Sequence, residues 1–499
     1  MKIENPSRRA VLATLAHAAL LGLGGATLGG CEHIRRKIAQ RRTRRDLATL
    51  AANDPIIETY RAAVAAMKAL PASDPRNWNR QAQIHFDLCP HSNWFFLPWH
   101  RAYLLYFEQI CCELTGNDDF ALPYWNWTCN RTLPAPFLGA SNALFEPGRS
   151  GVPPAALADA FVSTSVIGDV LNETNFLLFG SSPVSGQRDV AGSGPLEATP
   201  HNNVHGFVGG IMGGYQSPRD PIFWMHHNMI ERIWWEWNIV RGNANTNDSG
   251  WVNFAFNSNF VDRNGDSVNT TVGVLNLAPL LFYQFDASPI TSCGIGGLTA
   301  AQINNVALRR FLEQGGETRI ERLRTFQSVG AQQIPVDSAG SLVLRARDPA
   351  LTAETTLDAN ARVLLRVFDV TQPATGDFFV RVFINLPSAN ASTPISDPHY
   401  AGSFAFFFDP AHAAHGGASA KSNSHGGAAF LVDATPALRR LRQLDSLRAG
   451  GEITVQLVAV RGSDQPPKQK MLSIGGLELQ LARSVARPPQ PFGEPAHKQ

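Results

Sequence analysis

Histidine is the residue type whose placement in this chain could do chemistry. Seven of the fourteen histidines fall into two groups, which are His85, His91 and His100, and then His201, His205, His226 and His227. His201 and His205 lie about one helical turn apart, so a helix would point both side chains toward one place. A lone histidine is usually a core or surface residue, whereas two such groups predict metal binding.

The ligand types restrict which metal these groups would bind. The groups supply six imidazoles, and no carboxylate or thiolate ligand belongs to the same motifs. Imidazole-rich sites favour copper over calcium, magnesium or an iron–sulfur cluster, and imidazole tolerates both Cu(I) and Cu(II). Zinc also binds histidine, but dizinc hydrolases generally add carboxylates. The pattern therefore predicts two copper ions, about 3.5–4 Å apart as in other two-metal sites, that bind dioxygen between them.

Helices must position these histidines. Apolar residues recur at helical spacing in four segments, which are residues 46–70, 100–114, 200–206 and 221–240. Helix bundles build metal sites from ligands that face inward from several helices. Residues 115–195 are rich in Pro, Gly, Ser and Asn and indicate loops. The sequence thus predicts a mainly α catalytic domain over residues 46–286, with a four-helix bundle around a dicopper centre.

The composition changes after Phe285. Residues 287–340 are predicted to be a linker. From Ser341 onward, β-branched and aromatic runs alternate with turn residues, which predicts an all-β, sandwich-like C-terminal domain over residues 341–485. A Pro-rich tail over residues 486–499 is predicted to be disordered.

Residues 1–30 are typical of a signal segment rather than of a folded domain. Arg8 and Arg9 precede an apolar stretch that ends near Leu28. This order predicts export by a twin-arginine-type route, to the periplasm or the medium. Cys31 also matches a lipoprotein cleavage site, so a lipid anchor at this residue stays an alternative.

Charge and cysteine content give no support for a nucleic-acid-binding protein or a disulfide-rich protein. The net charge is +2, from 43 basic and 41 acidic residues, which gives no reason to expect nucleic acid as a partner. Six cysteines in 499 residues are too few for a disulfide framework. One disulfide among Cys111, Cys112 and Cys129 remains an option outside the cytoplasm.

Two longer motifs resemble a known family. His91–Glu108 resembles the first copper motif of tyrosinases, plant catechol oxidases and hemocyanins, and His201–His205 with Asp220–Arg232 resembles the second. The resemblance implies three ligands for each copper, which are His85, His91 and His100 for the first, and His201, His205 and His227 for the second. It also implies that His226 lies behind the ligands. Glu231 departs from the aspartate usual in the family, and we expect it on the helix surface or behind the ligands.

Further features fit the same family. Cys89 stands where relatives form a thioether bond, and the resemblance implies a bond to His201, with a buried free thiol as the alternative. Residues 283–285 resemble the motif that ends the catalytic domain. The β region resembles the domain that covers the copper site in plant and fungal polyphenol oxidases and keeps those enzymes latent.

The resemblance implies an enzyme that ortho-hydroxylates monophenols and oxidises o-diphenols to o-quinones with dioxygen. Hydroxylation requires a phenol, with a pKa of about 10 when free, to lose its proton. In the family, a glutamate and an asparagine at the positions of Glu197 and Asn202 hold a water that accepts this proton. An ordinary acidic residue at a helix N-terminus is the alternative for Glu197. Gly214 stands where plant catechol oxidases carry a bulky gate residue, and Tyr215 beside it could restore that gate.

Two other functions stay open on the sequence alone. A catechol or o-aminophenol oxidase would lack hydroxylation, and assay of a monophenol without a diphenol primer would reveal it. A hemocyanin-like oxygen-binding protein would use the same ligands without turnover, and reversible oxygenation would reveal it. In each case the expected partners are dioxygen and, for the enzymes, small phenols.

Overall fold

The computed structural model describes residues 41–189, 191–286, 290, 293, 318–335, 344–346, 361–371, 378–395, 397–405, 428–447, 452–461 and 471–486. The predicted signal segment, Cys31 and residues 487–499 of the predicted tail lie outside the described residues. Within the described part of the chain, no helix combines the length and apolar character needed to cross a membrane.

Helices dominate residues 41–286, which we call the helical region. The α-helices are α1 (Pro55–Ala69), α2 (Trp78–Leu88), α3 (Phe96–Thr115), α4 (Asp159–Val162), α5 (Thr164–Asn172), α6 (Phe176–Phe179), α7 (Asn202–Val208), α8 (Ile222–Trp235), α9 (Ser249–Val252), α10 (Val272–Leu275) and α11 (Ala278–Leu281). The 3₁₀ turns are Leu47–Thr49, Ala135–Phe137, Gly210–Gly213 and Ser217–Arg219, and the π-helical turns are Glu197–His201 and Glu236–Val240. Strand β1 (Arg42–Arg44) pairs in parallel with β4 (Tyr283–Phe285), and β2 (Ala255–Val261) pairs antiparallel with β3 (Ser267–Thr271).

The first helix begins later than predicted. Asp54 accepts a hydrogen bond from the backbone N–H of Ile56, and Pro55 occupies the first turn. This cap and proline favour a helix start at this place over the predicted start at residue 46. Helix α1 packs against α3, and the histidine His85 lies instead on α2, which was not among the four predicted helices.

Helices α3 and α8 are buried on nearly all sides, and their charged residues are paired. Arg101 of α3 lies 2.9 Å from a carboxylate oxygen of Glu231 on α8, and the hydroxyl of Tyr283 donates to the same carboxylate at 2.6 Å. Buried charges are tolerated when they are paired and hydrogen-bonded in this way. Because Glu231 is 2% exposed, the expectation of a helix-surface position for it was wrong.

Strands form the described chain from residue 318 to residue 486, which we call the β region. The strands are β5 (Thr318–Val329), β6 (Gln332–Pro335), β7 (Leu344–Ala346), β8 (Ala361–Val370), β9 (Phe378–Ile384), β10 (Tyr400–Phe404), β11 (Ala428–Asp433), β12 (Ile453–Arg461), β13 (Met471–Ile474) and β14 (Gly476–Ala486). One sheet has the order β10-β9-β12-β7, the other has the order β11-β8-β14-β5, and β13 pairs with β6. Helix α12 (Thr435–Gln443) packs on β8 and β10.

The two four-stranded sheets share one hydrophobic core. Val382 of β9 and Leu457 of β12 belong to the same buried cluster as Val363 of β8 and Leu479 of β14. Alternate residues of facing sheets fill such a core in a sandwich. The predicted class, a helical catalytic region followed by a sandwich-like β region, is therefore confirmed.

The β region includes part of the predicted linker. Strands β5 and β6 lie within residues 287–340, and β5 pairs along its length with β14. The segment is polar, which concealed its strands from sequence analysis, yet the backbone pairing makes it an edge of the second sheet.

One disulfide joins Cys129 to Cys293. The sequence option of a disulfide among Cys111, Cys112 and Cys129 was wrong, because Cys111 and Cys112 are buried free thiols. Cys112 receives a hydrogen bond from the guanidinium of Arg42.

The β region packs directly on the helical region. Phe383, Tyr400 and Val458 of the β region belong to the hydrophobic core of the helical region. Ser193 also forms a parallel β-bridge with Phe430 of β11. Both apolar packing and backbone hydrogen bonding therefore join the two regions.

Candidate metal centre

The first histidine group converges from two helices and their connection. His85 lies on α2, His100 on α3, and His91 between them, and each is less than 9% exposed. Nδ1 of His85 lies 2.8 Å from the carbonyl of Tyr215, and Nδ1 of His100 lies 2.8 Å from the carbonyl of Phe96. A carbonyl can only accept, so Nδ1 of each ring carries the proton and Nε2 keeps a lone pair for a metal.

The second group comes from the π-helical turn and two helices. His201 ends that turn, His205 lies on α7 and His227 on α8. Nδ1 of His201 lies 2.7 Å from Oδ1 of Asn202, and Nδ1 of His205 lies 2.7 Å from the carbonyl of Met212. These acceptors again direct Nε2 of each ring inward.

A left-handed turn brings the Met212 carbonyl to His205. Gly209 and Gly210 have φ values of +66° and +56°, which other residues adopt rarely. A Cβ atom on Gly210 would also lie 2.7 Å from the carbonyl oxygen of Gly148. Glycine at these positions therefore lets the chain turn back and hold the ligand.

The donor set of the two groups fits two copper ions. The possible ligand atoms within each group lie within 4.8 Å of one another. Nε2 of His205 and Nε2 of His227 are 3.2 Å apart, close to the separation expected when both lie about 2.0–2.1 Å from one tetrahedral ion. The rings of His100 and His227 stack with centroids 4.2 Å apart, so the two groups are in direct contact. Six imidazoles without a carboxylate suit copper.

His226 lies within the second group but is oriented differently. The indole N–H of Trp127 donates to Nδ1 of His226 at 3.2 Å. This hydrogen bond uses the Nδ1 lone pair, so the proton of the neutral ring lies on Nε2. We therefore keep the interpretation that His226 packs behind the ligands, although one of its ring nitrogens lies within 4.8 Å of the possible ligand atoms of the second group.

Burial keeps these imidazoles neutral. Burial and the neighbouring histidines lower the pKa of His91, His100, His205 and His227 well below its usual range. Burial likewise lowers the pKa of His201 to about 3, against the opposing effect of the Asn202 hydrogen bond. Neutral imidazole is the metal-binding form, so these side chains are ready to bind metal at neutral pH.

Cys89 lies beside the first group rather than the second. Its sulfur is 3.6 Å from Nδ1 and 4.0 Å from Nε2 of His91, and 3.3 Å from Nε2 of His100. Burial raises the pKa of the Cys89 thiol well above its usual range. The sulfur lies beside both ring nitrogens of His91, which makes His91 a second candidate, besides the predicted His201, for a thioether bond.

The structure brings Glu197 and Asn202 to the two ends of the turn that carries His201. The carboxylate of Glu197 accepts hydrogen bonds from the backbone N–H of Ser92 at 2.6 Å and from the hydroxyl of Ser181 at 2.7 Å. Burial outweighs these hydrogen bonds and raises the pKa of Glu197 to about 7. Asn202 is hydrogen-bonded to His201, as described above.

Sequence reasoning did not identify the serines that hydrogen-bond to Glu197. Ser92 directly follows the ligand His91 in the sequence, so its position could have indicated that it lies near the site. Ser181 lies in a loop sixteen residues before Glu197, and its role depends on tertiary folding that leaves no local pattern.

Of the two predicted gate residues, Tyr215 lies over the site. Its ring stands edge-on to that of His91, with centroids 5.1 Å apart, and it is half-buried. The guanidinium carbon of Arg188 lies 5.9 Å from the Tyr215 ring centroid. Gly214 has an extended backbone next to Tyr215, so the aromatic ring beside the site comes from its neighbour.

Comparison with known proteins supports the interpretation of the two histidine groups as metal ligands. A family model for the common central domain of tyrosinase matches residues 62–169 and 155–239. These matches include all six predicted ligands. The helical region contains the common central domain of tyrosinase. Its two histidine groups bind two copper ions, as the donor set above supports.

Individual members of the tyrosinase and polyphenol oxidase family match part of the chain. (+)-Larreatricin hydroxylase of Larrea tridentata is 31% identical over 252 residues, which are 41% of this chain and 43% of that protein. A tyrosinase of Hahella sp. (strain CCB-MM4) is 30% identical over 293 residues, which are 48% of this chain and 62% of that protein. The chain thus spans less than two thirds of the length of these relatives.

Solved structures of the family match both regions. A latent aurone synthase (polyphenol oxidase) has a TM-score of 0.64 at 24% identity and covers 90% of each chain. Latent apple tyrosinase has a TM-score of 0.62 at 22% identity and covers 89% of this chain and 97% of its own. At this identity the likeness shows the fold, in which the β region follows the helical region.

Proposed function

We propose that this copper protein ortho-hydroxylates monophenols and oxidises o-diphenols to o-quinones with dioxygen. The bound copper ions supply the binding and reduction of dioxygen. The observation that carries the hydroxylase part of the proposal is the carboxyl of Glu197, which is buried and has a pKa raised to about 7. A base whose pKa lies near the working pH is the most effective acceptor of a proton.

The surroundings of the ligands support oxidation chemistry in a dry site. The Phe96 ring lies 4.7 Å from that of His201, and the Phe223 ring lies 4.2 Å from that of His227. Both phenylalanines are fully buried. Apolar walls of this kind exclude water and strengthen electrostatic interactions of a bound phenol.

A second candidate is oxidation of o-diphenols without hydroxylation. The observation that favours it is the ring of Tyr215, which lies over His91 and restricts the approach of a phenol. Both Glu197 oxygens also accept hydrogen bonds from serines, which makes the carboxylate a weaker base.

Glu197→Gln separates the two candidates. We expect this variant to lose about 10²–10⁴-fold in monophenol hydroxylation without a diphenol primer, while catechol oxidation changes little. Oxygen uptake and quinone absorbance would measure both rates, with copper content checked in parallel. Glu146→Gln is the matched control, because burial also raises the pKa of Glu146 but it lies outside the histidine groups. If the Glu197 variant hydroxylates as well as the native protein, Glu197 is not the base.

The pH dependence of the native protein gives an independent test. A base must be deprotonated, so hydroxylation should rise as the pH increases through about 7, the pKa of Glu197. Oxidation of catechol, whose first proton is lost more easily, should respond less. Initial rates at a fixed oxygen concentration across this range would show parallel profiles if Glu197 had no such role.

We also propose that the β region keeps the enzyme latent and that residues 1–30 direct its export. The packing of Phe383, Tyr400 and Val458 on the helical region supports the first proposal. The paired arginines before an apolar stretch support the second. Limited proteolysis between the regions, followed by assay with catechol, tests latency.

A further inference from the structure

The β region hydrogen-bonds to the turn that carries His201. Just after β10, the backbone N–H of Ala405 donates to the carbonyl of Ala198 at 2.9 Å. The hydroxyl of Thr199 donates to the carbonyl of Ser403 at 2.6 Å. The side-chain amide of Asn202 donates to the carbonyl of Ala405 at 2.9 Å. Residues on both sides of His201 are thus held by one short stretch of the β region.

The Ala405 carbonyl determines which way the Asn202 amide points. A carbonyl only accepts, so the NH₂ group of Asn202 must face it and Oδ1 must face the other way. Oδ1 then lies 2.7 Å from Nδ1 of His201, and this nitrogen must carry the ring proton. The lone pair of His201 is left on Nε2, the atom available to copper.

We propose that the β region positions the second copper centre, because the carbonyl of Ala405 acts through Asn202 to fix the tautomer and orientation of His201. Asn202 is a positioning residue in this arrangement. The inference rests on the assignment of His201 as a copper ligand within the proposed function, and it does not depend on which phenols are oxidised.

For three other ligands, the described hydrogen bond at Nδ1 comes from the helical region. Nδ1 of His85, His100 and His205 each lies beside a backbone carbonyl of the helical region. We therefore expect loss of docking to weaken binding of the second copper, through His201. Binding of the first copper should change little and serves as an internal reference.

A second attachment holds the other end of the same segment. The backbone N–H of Ser193 donates to the carbonyl of Ala429 at 3.2 Å, and Ser193 bridges to Phe430. The rings of Phe430 and Phe404 stack at 4.3 Å, so β10 and β11 form one docking surface. Residues 193–202 are fixed at both ends, which limits the freedom of the turn between them.

Three variants of the full-length chain test the inference by copper binding, without phenol or turnover. Asn202→Ala removes both hydrogen bonds and should weaken the second copper by about 10–100-fold. Thr199→Val loosens the docking and should weaken the same copper several-fold. Asn202→Asp accepts from His201 with either oxygen, so it needs no carbonyl to orient it and should restore copper binding in the Thr199→Val background. Chelator competition resolves the two copper ions.

Hydrogen exchange of the Ala405 amide reports docking separately, and it should speed up in Thr199→Val and in Asn202→Asp. The control is Asn203→Ala, which removes a hydrogen bond to the carbonyl of Thr199 and should leave both copper affinities unchanged. Native copper affinity in Asn202→Ala overturns the inference. So does failure of Asn202→Asp to rescue Thr199→Val, because Asn202 would then act without Ala405. Copper binding as expected, together with no hydroxylation by the native protein, would instead count against the proposed function.

Discussion

Two parts of Tyr215 serve the site in different ways. Its backbone carbonyl holds Nδ1 of His85 at 2.8 Å, while its ring stands 5.1 Å from the ring of His91. A substitution of the side chain leaves the carbonyl in place, so ligand orientation and access can be changed separately.

We therefore expect Tyr215→Ala to keep both copper ions and to raise kcat/KM for a bulky monophenol by roughly ten-fold. Tyr215→Phe, which keeps the ring, is the matched control and should behave like the native protein. Steady-state kinetics with phenols of increasing size would measure the effect. An unchanged size preference in Tyr215→Ala would show that the ring does not limit access.

The sulfur of Cys89 gives a second test at the residue scale. We expect a covalent bond between Cys89 and His91 in protein that has been loaded with copper and exposed to dioxygen, which takes up the two hydrogens lost. Such a bond would fix the imidazole in one orientation. Peptide mapping by mass spectrometry would find the two peptides joined, and Cys89→Ser is the control. A crosslink to His201 would instead confirm the partner predicted from sequence.

The ligands were predictable from sequence, but the groups that orient them were not. Imidazole suits both oxidation states of copper, and the resemblance to the two copper motifs of the family implied His85 and His205 as ligands. Their Nδ1 partners are the backbone carbonyls of Tyr215 and Met212, which any residue could supply. The partner of Cys89 stays a prediction for a related reason, because the choice between His91 and His201 is made by the fold.

At the scale of elements, sequence periodicity failed where polar side chains face the interior. The buried positions of α2 include Gln81 and His85, so its inner face lacks the apolar pattern that marks a helix. The second copper motif was predicted as a helix from Pro200, but Pro200 has no N–H to continue the hydrogen-bond series. The structure has a π-helical turn there, and α7 begins at Asn202.

The pair between Arg101 and Glu231 joins helices α3 and α8, which carry a ligand of each copper. Removing one partner leaves the other charge buried, so Glu231→Ala should lower the free energy of unfolding by about 3–5 kcal/mol. Glu58→Ala is the control, since its pair with Arg61 is exposed to solvent and should contribute about 1 kcal/mol or less. Denaturant titrations would measure both. Equal losses in the free energy of unfolding would show that burial does not increase the contribution of the Arg101–Glu231 pair.

At the scale of the whole molecule, acidic groups face each other where the regions meet. Glu173 follows α5 in the helical region, and Asp433 ends β11. Burial raises the pKa of Glu173 to about 7, and the nearby charge of Asp433 adds to the shift. Burial also raises the pKa of Asp433, which the guanidinium of Arg362 opposes at 3.7 Å.

Docking of the two regions should therefore weaken as the pH rises. A carboxyl whose folded pKa lies above its unfolded value stabilises the structure at low pH, and this contribution is lost as the pH passes through about 7. Proteolysis between the regions and the accompanying rise in catechol oxidation should both accelerate from about pH 5 to about pH 8. Glu173→Gln should flatten this dependence, and Glu146→Gln, within the helical region, should not. A profile that is identical in the native and Glu173→Gln proteins would exclude the pair as its cause.

The bond between Cys129 and Cys293 determines what a cut between the regions can release. Cys293 follows the last strand of the helical region by eight residues. A cut before Cys293 leaves the downstream chain covalently tethered through Cys129 until a reductant opens the bond. A cut after Cys293 leaves no covalent bond between the downstream chain and the helical region. In an oxidising compartment, therefore, the side of Cys293 on which a protease acts decides whether a nicked protein stays one covalent molecule, and gel electrophoresis with and without reductant would distinguish the two products.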